Sequence, residues 1–390
     1  MTVAATVTAP RLEIDLRKLH HNARTLVERL GARGIAVTGI TKATVGSPAV
    51  AGAMLRAGVH ALGDSRVDNL EVLRAAGVTA PLTLVRSPML SQVDRVVAHA
   101  DMSCNSELDV LTALASAAAA TGRTHRVVLM VELGDLREGI LPGDLAGVVR
   151  DVLRLPALVL AGIGTNLACQ SGVAPDAANM GELSALAVSI EDRFGLTIDT
   201  VSGGNSGNLD WALGDDVVPG RVNDLRLGES ILLGCEPLHR RPIEGLHTDA
   251  ITLVAEVIES KRKPSQPRGE LGQTAFGTEA EAAAPTPAGD RGDVGDPGDR
   301  VRTIVAVGHQ DVDPAGVRAP TGIAVLGASS DHLILDAGRQ RLPIGAEVVF
   351  GLNYSALVRA MTSPFVDQVV TVTDDGFPVP VAAGLRPGAP

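Results

Sequence analysis

Lysine occurs at only four positions in this chain of 390 residues (18, 42, 261 and 263), and the other 30 basic residues are arginine. Chemistry that needs a primary amine therefore has few candidates. Lys42 closes an apolar run at residues 34–42, GIAVTGITK. A lysine buried at such a strand end is costly unless used, because desolvation disfavours the charged amine. An amine in that state forms Schiff bases readily. The alternative is a lysine on the exposed rim of the strand. Further along, GDLREG groups Asp135, Arg137 and Glu138, and another strand-like run ends at Thr165-Asn166. SGGNSGN spans residues 202–208 and includes Asn205 and Ser206, while LRLGES carries Arg226 and Gly228. A Gly/Ser/Asn turn that opens a short helix presents backbone N–H groups and hydroxyls, which suits a phosphate.

These residues fall at or near the ends of strand-like runs at 34–42, 60–65, 81–87, 102–106, 127–133, 159–166, 200–204 and 224–229. Between most of them lie Ala- and Leu-rich stretches of helical period, clearest at 51–57, 107–120 and 180–194. Asn105-Ser106-Glu107 and Pro175-Asp176 read as helix starts. Eight β-then-α units predict an α/β fold, a (β/α)8 TIM-type barrel. An open doubly wound sheet is the rival. Eight parallel strands is high for one, and no glycine-rich dinucleotide turn follows the first strand. In a barrel the strand ends meet at one face, and phosphate sites favour the loops after strands seven and eight. SGGNSGN and LRLGES stand there. A lysine on strand one, a phosphate cradle at strands seven and eight and inward arginines together suggest pyridoxal 5'-phosphate, the lysine holding the aldehyde.

From about Arg241 the pattern changes to successive strand-like runs at 250–259, 301–307, 322–326, 332–336, 347–352 and 368–373. The expected organisation is a barrel over residues 10–240 and a smaller, mainly β domain over 241–390. A Pro-, Gly-, Ala- and Asp-dense insertion near 279–300 interrupts the second and reads as disordered. The hydrophobic fraction of 45% and charged fraction of 20% exclude global disorder. A net charge of −11 argues against a nucleic-acid or anionic-membrane binder, which needs a basic face. No apolar run approaches the roughly 20 residues of a spanning helix. The opening MTVAATVTAPRLEIDL has no basic region followed by an apolar core, so no signal peptide is expected. Cys104, Cys169 and Cys235 are odd in number and match no zinc or disulfide framework. They read as small buried hydrophobes in a reducing, cytoplasmic setting.

The chain resembles the alanine racemase group of fold-type III pyridoxal-phosphate enzymes, and within it the ornithine racemase branch. The resemblance runs from about Pro10 to Phe365, apart from the insertion. It rests on PRLEIDLRKLHHNA, Lys42, DSRVDNL, MVELGDLREG, GIGTNLAC, VSGGNSGN, LRLGESILLG, VGHQDVD and GASSDHLILD in that order. The family pattern implies that Lys42 carries the cofactor as a Schiff base and serves as one acid/base. It implies that Arg137 lies near the cofactor's phenolic oxygen and that Asn166 stands where relatives have a histidine beside the ring. Asn205, Ser206 and Gly228 match the phosphate turns, and Arg226 matches the arginine facing the ring nitrogen. A permanent cation there weakens the electron sink, which fits racemisation.

One departure matters. The relatives use a tyrosine from the partner subunit's β domain as second base, and the comparable position here is His309. Histidine exchanges protons near neutral pH; a hydrogen-bonding pocket residue is the plainer reading. His309 and Asp311 could face one metal ion, but no third ligand is in view, so no metal is expected. Ser330 and Asp331 match the loop that meets substrate. The resemblance thus implies a homodimeric amino-acid racemase acting on ornithine or another basic amino acid. Asp64, Asp135, Glu138, Glu229 and Asp331 are expected at the mouth, where one unpaired carboxylate could meet a distal ammonium. An alanine or serine racemase and a fold-type III decarboxylase are the alternatives. The decarboxylase usually takes a cysteine near the C-terminus, and none follows Cys235. A non-catalytic pyridoxal-phosphate carrier is disfavoured by the β domain.

Overall fold

The structure, a computed structural model, describes residues 8–214, 219–264, 272, 275–276 and 300–371. It divides into two compact units. Among the described residues, one holds 15–250 and the other 8–14 and 251–371.

After β1 (Arg11–Asp15) and α1 (Leu16–Gly31), eight parallel strands close into a barrel. They are β2 (Ala36–Ile40), β3 (Ala61–Asp64), β4 (Leu82–Leu84), β5 (Met102–Asn105), β6 (His125–Met130), β7 (Leu158–Gly164), β8 (Thr200–Ser202) and β9 (Asp224–Leu227). Each overlaps one of the eight runs expected from the sequence; β6 begins two residues and β7 one residue before its run. Helices α2 (Pro48–Arg56), α3 (Val67–Ala75), α4 (Val93–His99), α5 (Leu108–Ala120), α6 (Pro142–Val152), α7 (Ala177–Phe194), α8 (Leu209–Ala212) and α9 (Glu229–Leu233) alternate with them. α1 shows how sequence makes such a layer. Leu16, Leu19, Ala23, Leu26 and Leu30 recur at helical spacing and are buried. The Asp15 side chain accepts from Arg17 N and Lys18 N, capping its first turn. Asp176 caps α7 in the same way. Glu107, by contrast, makes no side-chain cap for α5, and Asn105 turns instead to Ser103.

The other unit is an antiparallel sheet in the order β12-β15-β10-β11-β14-β13, with β1 on β10 and β16 on β1. Its strands are β10 (Ile251–Lys263), β11 (Arg300–Val305), β12 (Val317–Arg318), β13 (Ala324–Ala328), β14 (Leu333–Asp336), β15 (Glu347–Leu352) and β16 (Asp367–Thr371), with helix α10 (Tyr354–Thr362) between the last two. Residues 11–14, grouped with the barrel by the sequence reading, pair here with Ile251–Val254. Leu12 and Ile14 alternate with polar residues, a pattern that suits any half-buried strand and does not say which sheet takes it. Residues 241–250, expected in the second domain, fall in the barrel unit. Of the expected insertion, residues 279–299 lie outside the described residues and Arg300 opens β11.

β5 and β6 carry a buried polar pair on one side. Ser103 Oγ lies 2.8 Å from Nε2 of His125, and burial pushes the His125 imidazole down to about 4. A histidine held neutral by the fold contributes stability that is present above its unfolded value of about 6.5 and lost as pH falls through about 4, on the order of 3 kcal/mol. His125→Gln should therefore flatten the fall in unfolding free energy between those two pH values, measured by urea denaturation across that range. An unchanged slope would show that His125 does not carry the acid sensitivity.

Candidate active site

The barrel's interior sets the site. β2, β8 and β9 place Thr38, Ser202, Asp224 and Arg226 inside, and Asp224 and Arg226 share a face because a strand repeats every two residues. Thr38 Oγ1 donates to Asp224 Oδ1 at 2.7 Å, and Ser202 Oγ meets Asp224 Oδ2 at 2.5 Å. Arg226 donates to Ser202 Oγ at 2.5 Å and to the Thr165 carbonyl at 2.6 Å. The guanidinium is buried and held from two sides. Cys104 lies in the same interior with Val128, Met130 and Ala161, and burial pushes its thiol up to about 11.

Asn166, just past β7, sits between two arginines. Turned one way, its amide oxygen accepts from Arg137 Nη1 and Nη2 at 3.0 and 3.1 Å. Turned the other way, it faces Asn205 Nδ2 at 3.1 Å and Arg226 Nη2 at 3.5 Å. Asn205 also donates to the Leu167 carbonyl at 2.8 Å and meets Cys169 Sγ at 3.4 Å. Cys169 is exposed, contrary to expectation, in a loop where the preceding Ala168 adopts a left-handed φ of 65°. Cys104 and Cys235 are buried.

The turn after β8 forms as its composition suggests. Gly204 has φ 142°, and a Cβ there would lie 2.2 Å from Asn208 Oδ1, so only glycine fits. Asn205 caps the following turn through Gly207 N. Ser206 Oγ is buried, lies 3.0 Å from Ser230 Oγ and accepts from Ser230 N at 3.1 Å, tying this turn to α9 just beyond Gly228.

Lys42 stands two residues past β2, at the start of a single 3-10 turn, and is exposed. The expected buried lysine is not found. The strand ends at Ile40, and the turn carries the side chain out to the mouth. Most acidic residues expected at the mouth are already engaged. Asp64 accepts from Thr41 and Asn69, Asp135 from Gln170 N and Ser171 N, and Glu138 pairs with Arg137. Glu229 is different. Its nearest ion-pair partner among the described residues is Arg240 Nη1 at 3.8 Å, Lys42 is close enough to act on it, and burial raises its carboxyl above the ordinary range.

Lys42, Arg137, Asn166, Asn205, Ser206, Arg226 and Gly228 thus share one unit and the C-terminal side of its barrel. His309, Ser330 and Asp331 share the other. Backbone bonds from His309 N to Ser329 O (3.0 Å) and Gln310 N to Ser330 O (2.8 Å) hold these three together. The His309 ring stacks on Phe276, with centroids 4.2 Å apart. Asp331 pairs with His332 Nδ1 at 2.8 Å, which lowers its carboxyl. Asp311 spends its carboxylate on Gly308 N and Ser363 Oγ, which leaves the two-ligand metal arrangement with His309 unsupported.

The barrel's donor set fits pyridoxal phosphate. It offers an amine, two guanidinium groups, two amides and a hydroxyl-rich turn, while Asp64 and Asp224 are satisfied by neighbours. Sequence reasoning missed Glu132, whose signal was a carboxylate at the end of a strand-like run. Its oxygens accept from Gly134 N at 2.5 Å, Leu136 N at 3.0 Å and Arg137 N at 3.3 Å. They hold a loop in which Leu136, at φ 53°, is left-handed.

A model of the alanine racemase N-terminal domain matches residues 14–235. Lysine racemase of Thermotoga maritima is 36% identical over 362 residues, covering 92% of this chain and 98% of its own. Ornithine racemase of Acetoanaerobium sticklandii is 35% identical over 364 residues, covering 92% and 99%. The alanine racemase structure from Streptomyces lavendulae superposes with a TM-score of 0.70 at 20% identity, over 94% of this chain and 98% of that one, a likeness of fold.

Glu132→Ala should remove three hydrogen bonds from the loop that carries Arg137 and cost about 1–3 kcal/mol. Hydrogen exchange should quicken at Gly134, Leu136 and Arg137. Unchanged protection there would mean that the loop is held by something else.

Proposed function

Because this chain belongs to the alanine racemase family, we propose that it is a pyridoxal-phosphate-dependent racemase that interconverts the L- and D-forms of ornithine or another basic amino acid. The observation that carries this reading is likeness, over nearly the whole chain, to racemases named for two basic amino acids. Lys42 would bind the cofactor covalently. Asn205, Ser206 and the chain at Gly228 would hold its phosphate, and Arg137, Asn166 and Arg226 would surround its ring. Bound there, pyridoxal phosphate supplies an electron-withdrawing ring that makes the substrate's α-proton labile.

Racemisation removes a proton from one face of the α-carbon and returns one to the other. Lys42 Nζ serves the face on which it sits. We assign the opposite face to His309, contributed by a second copy of the chain in a homodimer, with Ser330 and Asp331 meeting the substrate. The Arg226 guanidinium would donate to the ring nitrogen and so limit side reactions. Glu229 is the carboxylate we assign to the distal ammonium of a basic substrate, since its neighbours at the mouth are engaged. No disulfide joins the three cysteines, and among the described residues no helix is long and apolar enough to cross a membrane. A cytoplasmic enzyme agrees with both.

Chiral chromatography of L-amino acids incubated with enzyme and cofactor should show ornithine and lysine racemised more efficiently than alanine. Glu229→Gln should raise KM for ornithine and leave that for alanine. Far better turnover of alanine would end the basic-substrate reading. Borohydride should fix the cofactor to the peptide containing Lys42; label on Lys261 or Lys263 would overturn that assignment.

A positioned acid/base is worth about 10²–10⁴-fold. His309→Ala should lose activity in that range and keep the visible band of the bound cofactor. Mixed with Lys42→Ala subunits, it should regain part of its activity, because one site of the mixed dimer has both bases. No recovery, with subunit exchange verified, would count against shared sites.

A further inference from the structure

Asp64 ends β3 with none of its surface exposed. Its carboxylate collects donors from three directions. Thr41 Oγ1 donates to Oδ2 at 2.7 Å, and Arg66 N and Asn69 Nδ2 donate to Oδ1 at 3.0 and 2.9 Å. Burial pushes its carboxyl up against the pull of these bonds, so the fold pays to keep a carboxylate here. The reason lies in what the donors belong to. Thr41 is the residue before Lys42 and is itself fully buried. Its amide donates to the Gly63 carbonyl at 2.9 Å. Its own carbonyl accepts from Thr44 N at 2.9 Å, Thr44 Oγ1 at 3.0 Å and Gly46 N at 3.3 Å.

Asn69 closes the same turn from the other side. Gly46 has φ 65°, and a Cβ there would come within 2.8 Å of Asn69 Cβ. One carboxylate therefore ties together the residue before Lys42 and the residue against which its turn packs. An asparagine cannot accept from all these donors, since half of its amide is itself a donor.

We propose that Asp64 is the positioning residue for Lys42, fixing through Thr41 and Asn69 the turn from which the amine projects. This rests on the reading of Lys42 as the cofactor lysine. A reacting group displaced by about 1 Å can lose roughly a hundredfold in rate.

The test uses the holoenzyme. Thr41→Val keeps the shape and removes the donor to Asp64; Thr41→Ser keeps the donor. Thr41→Val and Asp64→Asn should each lower kcat roughly tenfold to a hundredfold, with KM within about twofold. Both should also shift the pH profile of the visible band, which reports the environment of the lysine. Thr41→Ser should restore kcat and the profile. Thr41→Val keeps the inference testable should Asp64→Asn fail to fold. Thr41→Val with an unchanged kcat and profile would overturn the proposal, and so would an equal loss in Thr41→Ser. Borohydride labelling of the wild type tests the cofactor lysine separately, so the two readings can fail independently.

Discussion

A guanidinium group inside a closed barrel must be satisfied from within, because water cannot reach it and an unpaired buried charge costs several kcal/mol. Arg226 meets that demand through Ser202 and the Thr165 carbonyl, and Ser202 in turn leans on Asp224, which Thr38 also holds. These residues come from β2, β8 and β9 and the end of β7. The network can form only where the barrel closes, with β2 against β9. Closure and charge are therefore one requirement. The hydrophobic cluster around Cys104 fills the interior beside it, and the arginine is left facing the mouth, where Asn166 and Arg137 continue the line of donors.

That requirement explains what could be read from the sequence. Eight strand-like runs with helical stretches between them are a period signal, and period survives without tertiary knowledge. The inward placement of Arg226 was also legible, since Asp224-x-Arg226 puts both on one face of a strand. β1 was not. RLEID alternates in the same way wherever it pairs, and its partner, β10, lies some 240 residues away in sequence. The exposure of Lys42 stayed one of two open readings for a related reason. An apolar run ending in lysine does not reveal whether the strand stops at the lysine or two residues before it.

Loops were the least legible part of the site. The glycines of SGGNSGN advertise a turn, and Gly204 needs its positive φ. Nothing in GDLREG advertises that Leu136 is left-handed, or that Glu132, a carboxylate outside the motif, holds the strained backbone. Glu132 works through backbone amides, which every residue has. Side-chain types alone therefore cannot predict its partners. Ser206 shows the converse. Its hydroxyl joins the turn to α9, a partner that the composition of the turn does not reveal.

The side chains proposed to meet the cofactor and the residues beneath them are built differently. Lys42 and Arg137 are long, exposed side chains. The backbone below each is over-determined: Thr41 makes bonds through its amide, hydroxyl and carbonyl, and the Arg137 loop hangs from three amide bonds to one carboxylate. In both cases the anchor is a carboxylate that never has to meet the substrate. A site that must transfer protons needs flexible tips, and a tip is only as well aimed as its root. Placing acceptor-only groups under the roots fixes the aim without stiffening the tips, and it keeps these two negative charges occupied, so that the mouth presents mainly donors to an anionic cofactor.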